Sequence, residues 1–467
     1  MTRITRIESA TAAELLRAYR AQTISPVDVV ENSLRRIERL DPDLNAFYEV
    51  HAEAARQAAR DSEARWHAGT PCGLLDGVPT STKDALLTKG SPTYRGSAAN
   101  DAELKTWDID APCVARLKEH GAIILGRTTM PDFGMLASGA SSKHGVTRNP
   151  WDRTRTPGGS SAGAAASIAA GINPIAVGTD IVGSIRLPAS FCGLVGHKPS
   201  QGRVPYYFPS SPSMVAGPMA RTVEDAALLF NVISLPDARD FTALPYDGTD
   251  YVAALEGEVA AACVGVLLDI GLGSDADPEV CAFVEQAARA FMKLGCTVKR
   301  IATPFRRGDE RPVEDFYRVR CYTEFQQYAP ERRRQAPVIE RWTARAATMD
   351  AVAVYRAYLT ILQLRERTLQ MMDGFDFLLL PSVPVPAFAA ELPGLDQDRI
   401  FDPWVNTFLF NLTEQPASSI NCGFTSTGLP VGLQIVGRRF DDVGVLRMTR
   451  AYERAQGNLR PWPMEPV

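Results

Sequence analysis

Two hydrophobic periods alternate along the chain. Apolar residues three and four apart mark Pro112–His120, Thr222–Ile233 and Pro278–Leu294 as amphipathic helices. Short apolar runs of β type fall at Ala122–Leu125, Pro174–Val177, Val264–Leu268, Phe377–Leu380 and Val431–Val436. Near the start, Thr11-Ala12-Ala13-Glu14 forms a capping box that opens a helix carrying Leu15, Leu16 and Tyr19. Ser25-Pro26-Val27-Asp28 repeats the signal, with serine as N-cap, proline at the first helical position and an acid in the first turn. The alternation predicts an α/β fold with a mostly buried, largely parallel or mixed sheet. There is no tandem repeat. Ser200–Pro218, rich in Pro, Ser and aromatics, reads as loop, and the Arg-rich stretch Thr303–Pro337 as a solvated helix face or loop. Neither reads as a domain linker.

Composition narrows the function classes. The 467 residues are 45% hydrophobic and 22% charged, which excludes a disordered chain and allows a large core without disulfide staples. Fifty basic against 54 acidic residues give a net charge of -4. That argues against a general nucleic-acid binder or a basic membrane-surface protein. No apolar run reaches the roughly 18 residues of a membrane span. The longest, Ala162–Gly178, is broken by Ser167, Asn173 and Pro174. The N-terminus carries Arg3, Arg6 and Glu8 and no apolar signal core. The eight cysteines form no CxxC pair, so neither a zinc knuckle nor a disulfide framework is indicated. The expectation is a cytoplasmic, reduced protein, monomer or homodimer, with no metal and no cofactor.

Three segments carry candidate chemistry. In Thr156-Pro-Gly-Gly-Ser-Ser-Ala-Gly-Ala-Ala-Ala-Ser167, a glycine loop brings Ser160 and Ser161 to the start of an Ala-rich helix. This segment fits G-x-S-x-G, but that motif needs a strand directly before it, and Asn149–Pro157 reads as loop. None of the five histidines (51, 67, 120, 144 and 197) stands in the context of a general base, so a Ser-His-Asp hydrolase is rejected. In the second segment, Gly178–Ser190, Val182-Gly183-Ser184 follows a buried strand and could aim successive backbone N–H groups at one point, as an oxyanion hole requires. In the third, Gly77–Thr88, Lys83 lies among few other charges, and on a strand Asp84 would face the other way.

Together these segments resemble the amidase signature family, the Ser-Ser-Lys amide hydrolases. Asp110–Thr128, Asn149-Pro-Trp-Asp152, Gly217–Thr222 and Gly428–Gly437 are also similar to family blocks. The resemblance spans about residues 10 to 235 strongly and 375 to 455 moderately. It implies one amidase-signature domain over 1–467, with a central mixed sheet and helices on both faces. The core would lie at about 60–235 and 375–455, with 240–370 as a variable substrate-side insertion. It implies Ser184 as nucleophile, Ser160 as bridging serine on a cis peptide and Lys83 as base. The N–H groups of Ile181, Val182, Gly183 and Ser184 would form the oxyanion hole. Near pH 7.4 an ordinary lysine is neutral in only about one part in a thousand, a penalty of roughly 4 kcal/mol. Burial lowers a lysine pKa by up to about 3–5 units, so Lys83 must be buried and lack a close carboxylate.

The sequence departs from the family at two places. Val182 replaces the first of a usual glycine pair, and Ala162 and Ala164 replace Gly and Ser after the serine pair. Val182 is expected to keep φ negative and to narrow the pocket beside Ser184. The alanines are expected to stiffen the helix start and restrict substrate approach. Met130, Phe133 and Gly134 are weaker candidates for an apolar wall, and Tyr206, Tyr207 and Phe208 for a lid or core packing. The implied partner is a small amide, ester or carbamate with an apolar or aromatic part, with no nucleic acid and no membrane. The alternatives are a glutaminase-type subunit of a transfer-RNA-dependent amidotransferase and a catalytically silent scaffold.

Overall fold

Along Phe377–Pro381 successive side chains go to opposite sides. Phe377 and Leu379 enter one apolar cluster, and Leu378 and Leu380 enter another. A strand covered on both faces needs this, which is why the run is apolar without alternation. The computed structural model describes residues 4, 6–100, 106–207, 213–457 and 461–463. Its strands are β1 (Phe47–Val50), β2 (Pro79–Lys83), β3 (Ile123–Thr128), β4 (Ala140–Ser141), β5 (Gly145–Val146), β6 (Ile175–Asp180) and β7 (Val195–Lys198). They continue as β8 (Val215–Ala220), β9 (Cys263–Val266), β10 (Thr297–Arg300), β11 (Phe377–Pro381), β12 (Ala417–Phe424) and β13 (Pro430–Val436).

Among the described residues, β4 and β5 form a small ribbon, and the other 11 strands form one sheet ordered β1-β3-β2-β6-β8-β7-β12-β13-β11-β9-β10. The sheet is mixed. It is antiparallel from β6 through β11 and parallel across β3-β2-β6 and β11-β9-β10. Helices Pro112–Glu119, Val223–Ile233, Pro278–Lys293 and Asp442–Gln456 cover one face. Helices Arg186–Cys192, Arg311–Phe325, Ala351–Gln370 and Phe408–Leu412 contribute to the cluster on the other. The fold is therefore mixed α/β with helices on both faces of the sheet. Both N-terminal capping boxes are formed, at Thr11 and Ser25. Among the described residues no helix is long and apolar enough to cross a membrane.

Ser200–Pro218 departs from the expectation of loop, and in Thr303–Pro337 the helix of the two expectations forms, with one face buried. Val215–Pro218 belongs to β8, where Pro218 pairs with Val177 but β7 pairs only with Met219 and Ala220. The missing proline N–H thus falls where the ladder to β7 has already ended. Within Thr303–Pro337, Arg311–Phe325 is a helix that buries Val313, Tyr317, Cys321 and Phe325 on one face. Its arginines occupy the other positions and mask that period. Residues 263–300 add β9 and β10 to the same sheet that carries Lys83.

Candidate active site

Lys83 ends the buried strand β2, between β3 and β6. Its Nζ lies 2.8 Å from Ser160 Oγ, 2.9 Å from Ser161 Oγ, 2.8 Å from Thr179 Oγ1 and 3.4 Å from the Thr179 carbonyl. Four oxygens thus surround a fully buried amine. Burial lowers its pKa to about 7, against the opposing pull of Asp180 and Asp84. Neither carboxylate pairs with it. Asp84 faces the other way, as strand alternation predicts, and accepts from Tyr48 Oη at 2.9 Å and from the N–H groups of Tyr94 and Gly96 at 2.7 Å. Asp180 is gripped by Arg186 through two bonds of 3.1 and 3.0 Å and by Asn411 Nδ2 at 2.8 Å. Burial alone would raise the Asp180 pKa; Arg186, with Lys198 and Asn411, offsets this and holds it below the ordinary value.

The serine loop is placed by close backbone approach. The Gly159–Ser160 peptide bond is cis. A β-carbon on Gly159 would collide with the carbonyls of Leu136 and Ser138, and one on Gly134 would stand 3.2 Å from Ser160 Oγ. Gly159 is required by space, and Gly134 by its φ of 70°. Ser161 opens the helix Ala162–Ala169, and its N–H donates to the Ser184 carbonyl at 3.2 Å, tying the two serine segments together.

Ser184 follows Gly183, whose φ is 140°. Its Oγ is buried and has no hydrogen-bond partner. The link expected between Ser160 and Ser184 is therefore not made in this arrangement, whereas the link between Ser160 and Lys83 is. Among the described residues, the backbone N–H groups of Ile181, Val182, Gly183 and Ser184 donate to no backbone acceptor. A cluster of unused donors beside an unused hydroxyl is rare in a folded core. Chemically it can hold an oxygen that gains negative charge.

Ser160, Thr179, Ile181 and Ser184 line a cavity of about 340 Å³. Met130, Phe133, Gly134, Tyr206 and Tyr207 line it too, so five of the six weaker candidates meet in one place. Phe208 lies outside the described residues. Phe133 and Arg95 both have positive φ, 49° and 51°, and the Phe133 N–H donates to the Arg95 carbonyl at 2.8 Å. Positive φ at such bulky residues is uncommon, and here it turns both into the cavity wall.

Two expectations are corrected. Val182 does keep φ out of the positive range. Its side chain does not narrow the pocket, however: it is fully buried in the apolar cluster that holds Trp404, while its neighbour Ile181 faces the cavity. Both residues lie past the end of β6 and belong to one apolar cluster, and of the two only Ile181 reaches the cavity. Ala162 and Ala164 are likewise buried in the fold and do not line the cavity, so they do not obstruct substrate there.

Sequence reasoning missed Ser161 and Thr179 as partners of Lys83. Ser161 is visible beside Ser160, and Thr179 stands two residues past the apolar run Pro174–Val177. It also missed the wall residues Ala85, Leu87, Trp107 and Met214, together with Arg95 and Arg320, which converge from remote segments. Arg95 and Arg320 meet the two oxygens of Glu324 at 2.7 and 2.8 Å. No histidine lines the cavity. His197 sits between Ser418 and Asp442, but Ser418 is a fully buried residue of β12.

The Amidase family model matches residues 28–446. A glutamyl-tRNA(Gln) amidotransferase subunit of Myxococcus xanthus (strain DK1622) is 37% identical, over 96% of this chain and 98% of that protein. Among solved structures, a bacterial aryl acylamidase of the amidase signature enzymes superposes with a TM-score of 0.88 at 29% identity, covering 96% of each chain. The 6-aminohexanoate cyclic dimer hydrolase superposes with a TM-score of 0.86 at 26% identity, covering 99% of each chain.

Proposed function

The chain belongs to the Amidase family of enzymes acting on C–N amide bonds, and from that premise we propose that it hydrolyses a carboxylic amide through an acyl-enzyme on Ser184, with Ser160 and neutral Lys83 as the proton relay. The observation that carries this reading is the environment of Lys83: buried, ringed by hydroxyls, and left without a paired carboxylate because Arg186 and the Tyr94–Gly96 loop hold the two nearby aspartates. An amine with a pKa of about 7 is substantially neutral at neutral pH and can accept a proton.

In this mechanism Lys83 takes the Ser160 proton as Ser160 takes that of Ser184. Ser184 Oγ turns toward Ser160 to close the relay and attacks the amide carbonyl. The carbonyl oxygen becomes an oxyanion among the N–H groups of Ile181 to Ser184. The tetrahedral intermediate collapses, the C–N bond breaks, and the relay run in reverse protonates the leaving amine. Water then attacks the acyl ester by the same path and frees the acid and Ser184. Esters and carbamates pass through the same intermediate.

The cavity wall of Leu87, Trp107, Met130, Phe133, Tyr206 and Met214 supports a substrate with an apolar or aromatic part. The test is a panel of anilides, short aliphatic amides, aryl esters and carbamates on the singly purified chain, with Ser184→Ala as control. Turnover of anilides, with an acyl adduct on Ser184 detected by mass spectrometry, is the expected result. No turnover of any member by the folded chain would overturn the reading.

A second reading, a glutaminase-type component of an amidotransferase that works with partner chains and a charged transfer RNA, is favoured by the full-length 37% identity to the Myxococcus xanthus protein. Against it, glutamine brings an α-ammonium, and the described residues lining the cavity include no carboxylate to receive it. Ammonia release from glutamine, but not amine release from anilides, would favour this second reading.

A further inference from the structure

The helix Ala351–Gln370 packs on the molecule through Ala357, Ile361, Leu364 and Thr368, which are buried on one face. Its opposite face is not polar. Val352, Tyr355, Leu359, Leu362 and Leu369 are all outward, with between 39 and 61% of their surface exposed. With Glu366 they are spaced three, four, three, four and three residues apart. That is the a/d seam of a heptad pattern, narrower than the stripe a helix needs to lie on a globular core. The seam spans 352 to 369, about 26 Å at 1.5 Å per residue. The helix is already folded on its own protein, so pairing along the seam carries no cost of ordering it.

We propose that this face pairs, antiparallel, with the same helix of a second copy of the chain. Charge selects the orientation. A parallel pair would set Glu366 against Glu366 of the partner subunit, two carboxylates on one apolar seam. An antiparallel pair centred between Leu359 and Leu362 sets Val352 against the partner's Leu369 and Leu359 against the partner's Leu362. Glu366 then faces the partner's Tyr355, with the partner's Arg356 beside it. Arg356 is exposed, and among the described residues its guanidinium has no hydrogen-bond or ion-pair partner in its own chain. Glu366 is held only by a 3.4 Å bond from Gln370. The patch is thus complementary to itself about a two-fold axis, as an isologous interface requires. This inference does not depend on which amide the cavity takes.

The test is sedimentation equilibrium and light scattering on the full chain over a concentration series. The expected wild-type particle has twice the 50.8 kDa mass of the chain. Leu359→Glu with Leu362→Glu should reduce it to a single chain with an unchanged circular dichroism spectrum. If that variant fails to fold, Glu366→Arg alone should weaken association by about tenfold or more. Adding Arg356→Glu to it should restore the dimer. A wild type that stays single at every concentration overturns the proposal, whether or not it binds lipid vesicles. So does a dimer that survives both leucine substitutions. A charge reversal that is not rescued by its partner overturns the antiparallel orientation.

Discussion

The hydroxyl of Thr407 occupies the space that a β-carbon on Gly183 would need, and it donates to the Val182 carbonyl at 2.5 Å. One side chain from the far half of the sequence thus packs against and bonds the loop of Ile181 to Ser184, whose N–H groups donate to no backbone acceptor among the described residues. Gly183→Ala forces Thr407 or Trp404 to move and strains a backbone at φ 140°. Its kcat should fall by about a hundredfold or more, in line with the loss of an oxyanion donor. Thr407→Val keeps the shape and removes the hydroxyl that bonds the Val182 and Trp404 carbonyls. It should lower kcat less than Gly183→Ala and leave KM nearly unchanged. Steady-state kinetics on one anilide distinguish the two outcomes, and equal, mild effects would mean that loop geometry does not limit the reaction.

Ser184→Ala should abolish turnover without destabilising the fold. Its Oγ makes no hydrogen bond, so its removal leaves no buried group unpaired. Thermal unfolding should show a melting temperature equal to or above that of the wild type. A variant that still forms an acyl adduct would remove Ser184 from the role of nucleophile.

Activity should rise with pH through a limb near 7, the pKa to which burial depresses Lys83, because only its neutral form accepts a proton. The same shift links to stability. Folded Lys83 releases its proton near pH 7 and unfolded Lys83 near about 10.4, so between them the folded chain binds fewer protons. Its contribution to stability therefore increases with pH across that window and is least favourable below it. Lys198 is also buried with a pKa near 7, lowered by burial and then by Arg186, but it does not line the cavity and donates to the Pro199 carbonyl at 2.8 Å. Lys198→Gln should therefore keep the activity limb, whereas Lys83→Gln should cost at least about a thousandfold in kcat/KM. A limb that follows Lys198 instead would assign the titration to the wrong amine.

Ser160 and Ser161 both touch Lys83 Nζ, at 2.8 and 2.9 Å, but only Ser160 lines the cavity with Ser184. Ser160→Ala should therefore cost about a hundredfold or more in kcat, with residual activity through an inserted water. Ser161→Ala, which loosens Lys83 without cutting the relay, should cost distinctly less. The reverse order in kcat, measured on one substrate, would transfer the bridging role to Ser161.

What was legible in the sequence follows from what each signal depends on. The strands at Phe377 and Pro430 declare themselves because both faces are covered and nearly every residue is apolar. β12, Ala-Ser-Ser-Ile-Asn-Cys-Gly-Phe, is equally buried but made of small and polar residues whose bonds are satisfied by neighbours such as Ser382 and His197, so no run of apolar residues marks it. In the candidate site, Lys83, Ser160 and Ser184 stand on motifs that are contiguous in sequence. Thr407, Arg95 and Arg320 could not be found that way: each reaches the site across the fold, and nothing in its own neighbourhood records the residue it meets.

Phe133 offers a test of the cavity itself. It is held at φ 49°, packs edge-on against Phe325 with ring centroids 5.7 Å apart, and has the Arg95 guanidinium 5.5 Å above its ring. Its ring therefore cannot turn away without breaking contacts on two sides, and it presents a fixed apolar surface to the cavity. Phe133→Ala removes that surface and leaves space beside Met130. For an aromatic amide KM should rise more than kcat falls, because the lost contact holds ground state and transition state alike. For a short aliphatic amide, which does not reach the ring, both constants should change little. The preference for anilide over aliphatic amide, as a ratio of kcat/KM, should fall by about tenfold or more, the scale on which apolar pockets discriminate. An unchanged ratio would show that the aromatic part of the substrate lies elsewhere and that Phe133 serves only to pack the wall.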